Sequence, residues 1–223
     1  MNQNIAIDGP AGAGKSTIAR RVAASLGSIY VDTGAMYRAI GIYMLDHQVD
    51  RNDLDAVKGA LEQVTVELKY ENGEQQVILN GENVNHRIRT EEAGMAASAF
   101  SAIGIVREKL LDLQRNLATK TAVVMDGRDI GTKVLPDAAC KIYLTAGSRE
   151  RARRRYEELR AKGQEADLDQ IEEDIKARDY QDMNRAVSPL CQAEDAVLVD
   201  SSELNIEEVT DRILEIFREK TQG

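Results

Sequence analysis

The segment from Ile5 to Thr17 leaves this chain little freedom. An apolar run, Ile5-Ala6-Ile7, meets Asp8 and breaks into Gly9-Pro10-Ala11-Gly12-Ala13-Gly14-Lys15-Ser16-Thr17. Gly9, Gly14, Lys15 and Ser16 stand at the spacing G-x-x-x-x-G-K-[ST], where positions lacking side chains let backbone N–H groups wrap a polyphosphate. In that pattern Lys15 reaches the β- and γ-phosphates and the Ser16 hydroxyl ligates Mg²⁺, while the following helix turns its positive end toward the anion. The motif needs a strand before it and a helix after it. Both are present, because Ile18, Val22 and Leu26 recur four residues apart and Gly27 stands at a natural C′ position.

The remaining chain repeats the alternation. Ile29-Tyr30-Val31 reads as a second buried strand, and Asp32-Thr33-Gly34 as a turn into a helix bearing Tyr37, Arg38, Ile40 and Met44. Leu54, Val57, Leu61 and Val64 keep helical spacing, after which Val64, Val66, Leu68 and Tyr70 alternate with a period of two. Asn72-Gly73 and Asn80-Gly81 flank Gln76 to Leu79, so residues 64–85 predict a three-stranded antiparallel insertion. Thr90 is placed to cap a helix of small residues containing Ser98. A further helix carries Val106, Leu110, Leu113 and Leu117 on one face, with Arg107 expected beside that face rather than in it.

Ala122 to Met125 is an apolar run ending in Asp126-Gly127-Arg128-Asp129, a pattern like a Walker B strand with its acid at the C-terminal end. Lys141 to Leu144 and Ala196 to Val199 supply two more runs, and Ile206, Val209, Ile213 and Phe217 a closing helix. Helices in between carry Arg151, Arg154 and Arg155 at i, i+3, i+4 spacing, and Arg178, Asp182 and Arg185 at matching intervals. Five buried runs alternating with helices imply a parallel sheet covered on both faces.

Composition narrows the partners. A net charge of −9 argues against a general nucleic-acid surface, which depends on many basic contacts. Positive charge is instead concentrated between Arg149 and Lys162, as suits a small phosphorylated ligand. No apolar run reaches the roughly 18 residues of a membrane span, and the first residues carry no secretory pattern, so a protein that is not exported is expected. Cys140 and Cys191 form no disulfide framework and are expected to be small buried thiols in a reducing cytoplasm. His47 and His86 are too few and too far apart for a zinc cluster.

No His, Cys or Ser-His-Asp set offers a covalent nucleophile, so direct in-line phosphoryl transfer, governed by positioning and charge neutralisation, is the simplest chemistry. Lys15 and Mg²⁺ would hold the donor phosphates, Asp126 would orient the metal through water, and arginines of the basic helix would close over the developing charge. On residues alone, Arg151, Arg154 and Arg155 read equally as a solvated face paired with Glu150, Glu157 and Glu158, and Arg178, Asp182 and Arg185 as a surface ion-pair ladder.

IAIDGPAGAGKST at 5–17, DTGAMYR at 32–38, RIRTEEA at 87–93, MDGRDIGTKVLPDA at 125–138, RARRR at 151–155 and ARDYQDMNRAVSPL at 177–190 together resemble the bacterial cytidylate kinase family of nucleoside monophosphate kinases. The resemblance covers nearly the whole chain. It implies an α/β, P-loop NTPase-type three-layer fold with a five-stranded parallel sheet, a small antiparallel insertion in a substrate subdomain and a helical lid. The core is then expected at about 1–33, 108–147 and 186–223, the CMP-binding subdomain at 34–107, the lid at 148–166 and a linking helix at 167–185.

The implied activity is transfer of the γ-phosphoryl group of ATP to CMP or dCMP with Mg²⁺, by a cytoplasmic monomer that binds neither nucleic acid nor membrane. ATP would lie on Gly9 to Thr17. The resemblance assigns Thr33, Arg107 and Asp129 to the cytosine edge, Arg38, Arg128 and Arg185 to the acceptor phosphate, and Ser98, Arg178 and Asp182 to the sugar. Lys15, Arg128, Arg151, Arg154, Arg155 and Arg185 are the residues expected to stabilise the transferring group.

Overall fold

In a computed structural model that describes residues 3–222, the chain divides into two compact units. One takes in the chain up to Tyr30 and again from Ala122, and the other runs from Val31 to Thr121.

The first unit holds most of the sheet, and the strand Ile29–Asp32 runs on from it into the second. Strands β1 (Ile5–Asp8), β2 (Ile29–Asp32), β6 (Val123–Gly127), β7 (Cys140–Thr145) and β8 (Val197–Asp200) stand in the order β2-β6-β1-β7-β8. β1 is central and wholly buried, parallel to β6 through Ile5↔Val124 and Ile7↔Asp126 and to β7 through Ile5↔Cys140 and Ile7↔Ile142. Consecutive strands β6 and β7 therefore flank β1 on opposite sides. Open α/β sheets bind ligands where strand order reverses in this way, and the glycine-rich segment leaves the carboxyl end of β1.

Helix α1 (Lys15–Leu26) buries Ile18, Ala19, Val22 and Ala23, and stops at Gly27 in the left-handed conformation. These residues share a core with Ile5, Ile7, Val124, Ile142, Leu144 and with Val209, Ile213 and Phe217 of α8 (Ile206–Gln222). The fifth run departs from expectation. In β8 only Val199 is buried and Leu198 is 54% exposed, because the strand lies at the sheet edge with one neighbour.

The second unit centres on α2 (Thr33–Asp46), which is buried from Ala35 to Met44 apart from half-buried Arg38. No turn precedes it: Asp32 is itself the N-cap, its carboxylate accepting from the Ala35 N–H, so Thr33 and Gly34 already lie in the helix. α3 (Leu54–Glu62), α4 (Glu91–Phe100) and α5 (Gly104–Lys120) complete its helices. α4 starts at Thr90, whose hydroxyl accepts from the Ala93 N–H. A Cβ at Gly41 would lie 2.9 Å from the Ala97 nitrogen, so that glycine permits the close approach of α2 and α4.

The insertion folds as read. β3 (Val66–Glu71), β4 (Glu74–Leu79) and β5 (Glu82–Asn83) are antiparallel, and Asn72, Gly73, Asn80 and Gly81 all have positive φ, as type I′ turns require. α5 belongs to this unit, whereas the sequence reading began the core at 108. Val106 and Leu110 of α5 pack with Met36, Ile40 and Phe100, which ties the helix to α2 and α4.

Arg107 and Cys191 are corrected. Arg107 is 7% exposed, within the buried side of α5, and Cys191 is exposed while Cys140 is buried. Burial pushes the Cys140 thiol up to about 12, so at pH near 8 it stays protonated as well as enclosed. A thiol titration of the native protein with a chromogenic disulfide should label Cys191 quickly and Cys140 only after denaturation. Equal labelling rates would contradict this packing.

Candidate active site

The loop from Gly9 to Gly14 has the backbone its glycines allow. Gly9, Gly12 and Gly14 have φ of 153°, 76° and 82°. A Cβ at Gly9 would come within 1.9 Å of the Leu144 carbonyl oxygen, so no side chain fits where the loop leaves β1. Gly14 is the N-cap of α1, with no side-chain cap and no acid in the first turn. The positive end of α1 is thus left to the loop and to whatever anion the loop receives.

Lys15 is buried, and its ammonium donates to the Pro10 carbonyl at 2.7 Å. Burial chiefly, and then the charge of Arg128, lower its pKa well below that of an ordinary lysine, against the pull of Asp126, Asp8 and Asp182. Ser16 donates to Asp126 Oδ2 at 3.0 Å, and the Tyr30 hydroxyl donates to Asp126 Oδ1 at 2.9 Å. The two residues expected to serve the metal are therefore adjacent. A hydroxyl and a carboxylate are hard oxygen donors, few enough to leave coordination places for phosphate and water, which fits Mg²⁺.

Arg128 follows β6 and pairs with Asp182 of α7 (Leu168–Asn184), Nε to Oδ2 at 2.7 Å. Burial opposes the charge on Asp182, but Arg128, Arg185 and Arg178 together hold its carboxyl below the usual range. Arg185 lies 3.8 Å from Asp182 and donates to the Ser188 carbonyl at 2.7 Å. These contacts bring Arg128, Asp182 and Arg185 into one buried group that Arg178 influences electrostatically. Asp129 is buried at the start of a π-helical turn, Ile130–Val134.

Sequence reasoning missed Asp8. Its carboxylate accepts from the Ile130 and Gly131 N–H groups at 2.8 and 2.7 Å, joining the end of β1 to the turn that follows Arg128 and Asp129. Burial pushes Asp8 up to about 6, although both N–H donors pull it down. The signal was an acid ending an apolar strand, which also reads as an ordinary polar boundary. Tyr30, read as part of an apolar strand, was missed in the same way.

The profile of the family described as cytidylate kinase matches residues 5–219. The chain belongs to that family. A cytidylate kinase from Caldicellulosiruptor saccharolyticus is 51% identical over 214 residues, covering 96% of this chain and 95% of that protein. One from Lactobacillus johnsonii is 49% identical over 219 residues, covering 98% and 95%. A crystal structure of an uncharacterized protein from Eubacterium ventriosum superposes with a TM-score of 0.53 at 13% identity, covering 98% of this chain and 99% of that one, a likeness of fold alone.

The second unit carries Thr33, Arg38, Ser98 and Arg107, which the sequence resemblance assigns to the acceptor. Thr33 is buried at the first turn of α2, and Arg38 donates to the Ile88 carbonyl at 3.2 Å. The guanidinium of Arg107 lies 5.0 Å from the Tyr37 ring centre and donates to the Ser101 carbonyl at 3.1 Å. Ser98 is half-buried on α4.

The three arginines of α6 (Ser148–Ala161) do not act as one cluster. Arg154 pairs with Glu150 at 3.1 Å and donates to the Ser201 carbonyl at 2.6 Å, while Arg155 pairs with Glu158 at 3.0 Å. Arg155 makes the glutamate pair of a solvated face, whereas Arg154 is half-buried and tied to Ser201 as well. Arg151 alone is buried and turned to the phosphate loop.

The depressed pKa of Lys15 makes a titration experiment decisive. A polyphosphate on the loop would favour the ammonium and raise that pKa, so binding should take up protons at pH near or above 7. Calorimetric titration with ADP in buffers of different ionisation enthalpy measures this uptake, which should vanish in Lys15→Met. Buffer-independent heats from the wild-type protein would contradict the assignment.

Proposed function

We propose that this protein transfers the γ-phosphoryl group of ATP to CMP or dCMP, yielding ADP and CDP or dCDP. The observation that supports this most directly is the buried Lys15 at a helix start without a side-chain cap, under the electrostatic influence of Asp126, which accepts from Ser16, and of the paired Arg128 and Asp182. An oxygen of the acceptor phosphate attacks the γ-phosphorus, the bond from that phosphorus to the bridging oxygen breaks, and the electron pair leaves with ADP. Loop N–H groups and Lys15 bind the donor phosphates. Ser16 and Asp126 would hold Mg²⁺, which would supply charge neutralisation to the phosphates.

Arg38, Arg128 and Arg185 are assigned to the acceptor phosphate, for which forked guanidinium donors are suited. Thr33, Arg107 and Asp129 are assigned to the cytosine edge, a surface of mixed donors and acceptors that calls for a hydroxyl, a guanidinium and a carboxylate. Ser98, Arg178 and Asp182 are assigned to the sugar. To reach the transferring group Arg155 would exchange Glu158 for phosphate, and Arg154 would give up both Glu150 and the Ser201 carbonyl. The catalytic unit is assigned to a single chain. Its reaction is assigned to the cytoplasm, where free thiols such as Cys140 and Cys191 persist. Among the described residues no helix is long and apolar enough to cross a membrane.

A coupled assay of ADP release tests the reading across CMP, dCMP, UMP, AMP and shikimate. Turnover should be highest with CMP or dCMP, and Asp129→Ala should raise the acceptor KM by about tenfold, the cost of losing one well-made hydrogen bond to the base. Preference for another acceptor, or an unchanged acceptor KM in Asp129→Ala, would contradict it.

A further inference from the structure

Arg151 has every arm of its guanidinium engaged within one unit of the fold. Nε donates to the Ala146 carbonyl just beyond β7 at 2.8 Å, Nη1 to the Ala11 carbonyl of the phosphate loop at 2.9 Å, and Nη2 to Asp179 Oδ2 on α7 at 2.7 Å. Its side chain is 6% exposed and that of Asp179 13%. The stem also lies near the loop, where a Cβ added at Gly12 would meet Arg151 Cβ at 3.5 Å. An arginine so committed is a strut from β7 and α7 to the loop, in contrast to Arg154 and Arg155 on the same helix.

What the strut holds is a peptide plane. A trans peptide points its C=O and N–H in opposite directions, so holding the Ala11 carbonyl toward Arg151 turns the Gly12 N–H away from it. A phosphate loop works through the directions of such N–H groups, and one rich in positive-φ glycines has few side chains of its own to fix them. Asp179 is the charged member that keeps Arg151 in place. Its other oxygen, Oδ1, is buried without a hydrogen-bond partner among the described residues.

We propose that Asp179 is a positioning residue for the donor nucleotide, acting through Arg151 to orient the Ala11–Gly12 peptide of the phosphate loop. The inference rests on the ATP-binding part of the proposed function and assigns Arg151 to the loop instead of to the transferring group. It predicts an effect on the donor side alone, which a merely stabilising ion pair would not produce.

Asp179→Asn, Asp179→Glu, Arg151→Lys and the double variant Asp179→Asn/Arg151→Lys separate these cases, with Mg·ADP affinity measured by calorimetry in the absence of acceptor. Asp179→Asn should weaken Mg·ADP and raise the ATP KM by about tenfold while the CMP KM stays within about twofold, with Asp179→Glu recovering most of the loss. The double variant should bind no more weakly than Arg151→Lys alone, because the two residues act as one device. If Asp179→Asn does not fold, Arg151→Lys carries the same donor-selective expectation. An unchanged Mg·ADP affinity, a lowered Tm with unchanged affinity, additive losses in the double variant, or a CMP KM that rises with the ATP KM would each overturn the proposal. Failure of the CMP assignment would appear separately, as wild-type protein that binds Mg·ADP but does not turn over CMP.

Discussion

The structure of the donor site depends on one buried cation. Lys15 stands at the first position of α1 with its ammonium enclosed, where burial and Arg128 both oppose its charge. The compensation is a carbonyl, Pro10, and the carboxylates of Asp126, Asp8 and Asp182. Each of those carboxylates is itself tied elsewhere: Asp126 to Ser16 and Tyr30, Asp8 to the turn after Asp129, Asp182 to Arg128. A charge kept in a low-dielectric place acts strongly on a phosphate brought beside it, and its supports are fixed before the phosphate arrives.

The sheet explains why these supports meet. β1 ends at the glycine loop, β6 beside it ends at Asp126 and Arg128, and β7 on its other side ends near Ala146, which receives Arg151. Three adjacent parallel strands thus deliver the glycine loop, Asp126 and the anchor of a strut to one edge of the sheet. Helix α7 then adds two carboxylates a turn apart, Asp179 for Arg151 and Asp182 for Arg128, so one helix face restrains both arginines.

Much of this was legible in the sequence, because its strongest signals are local. Asn72-Gly73 and Asn80-Gly81 specify type I′ turns by what their φ angles allow, and Gly27 ends α1 for the same reason. The glycine-lysine-serine spacing places the phosphate loop without reference to anything distant. What was not legible concerns contacts that an element's own periodicity does not carry. Arg107 is buried because the Ser101 carbonyl and the Tyr37 ring receive it, and neither lies in the apolar periodicity of α5. Arg151 looked like its neighbours Arg154 and Arg155, since a helical wheel cannot show that Ala11 and Asp179 lie beneath it. Cys191 follows a buried leucine in a segment with no period, so its exposure had no sequence signal.

Because Lys15 is held against the preference of its surroundings, its contribution belongs to the reaction and not to the fold. The rate of phosphoryl transfer from ATP to CMP in Lys15→Ala, measured together with its Tm, tests that most directly. Transfer should fall by about 10³-fold, the scale of removing a preorganised group from a developing charge, while the Tm is no lower than that of the wild-type protein. Turnover within about tenfold of wild type, or activity lost only through unfolding, would contradict the account.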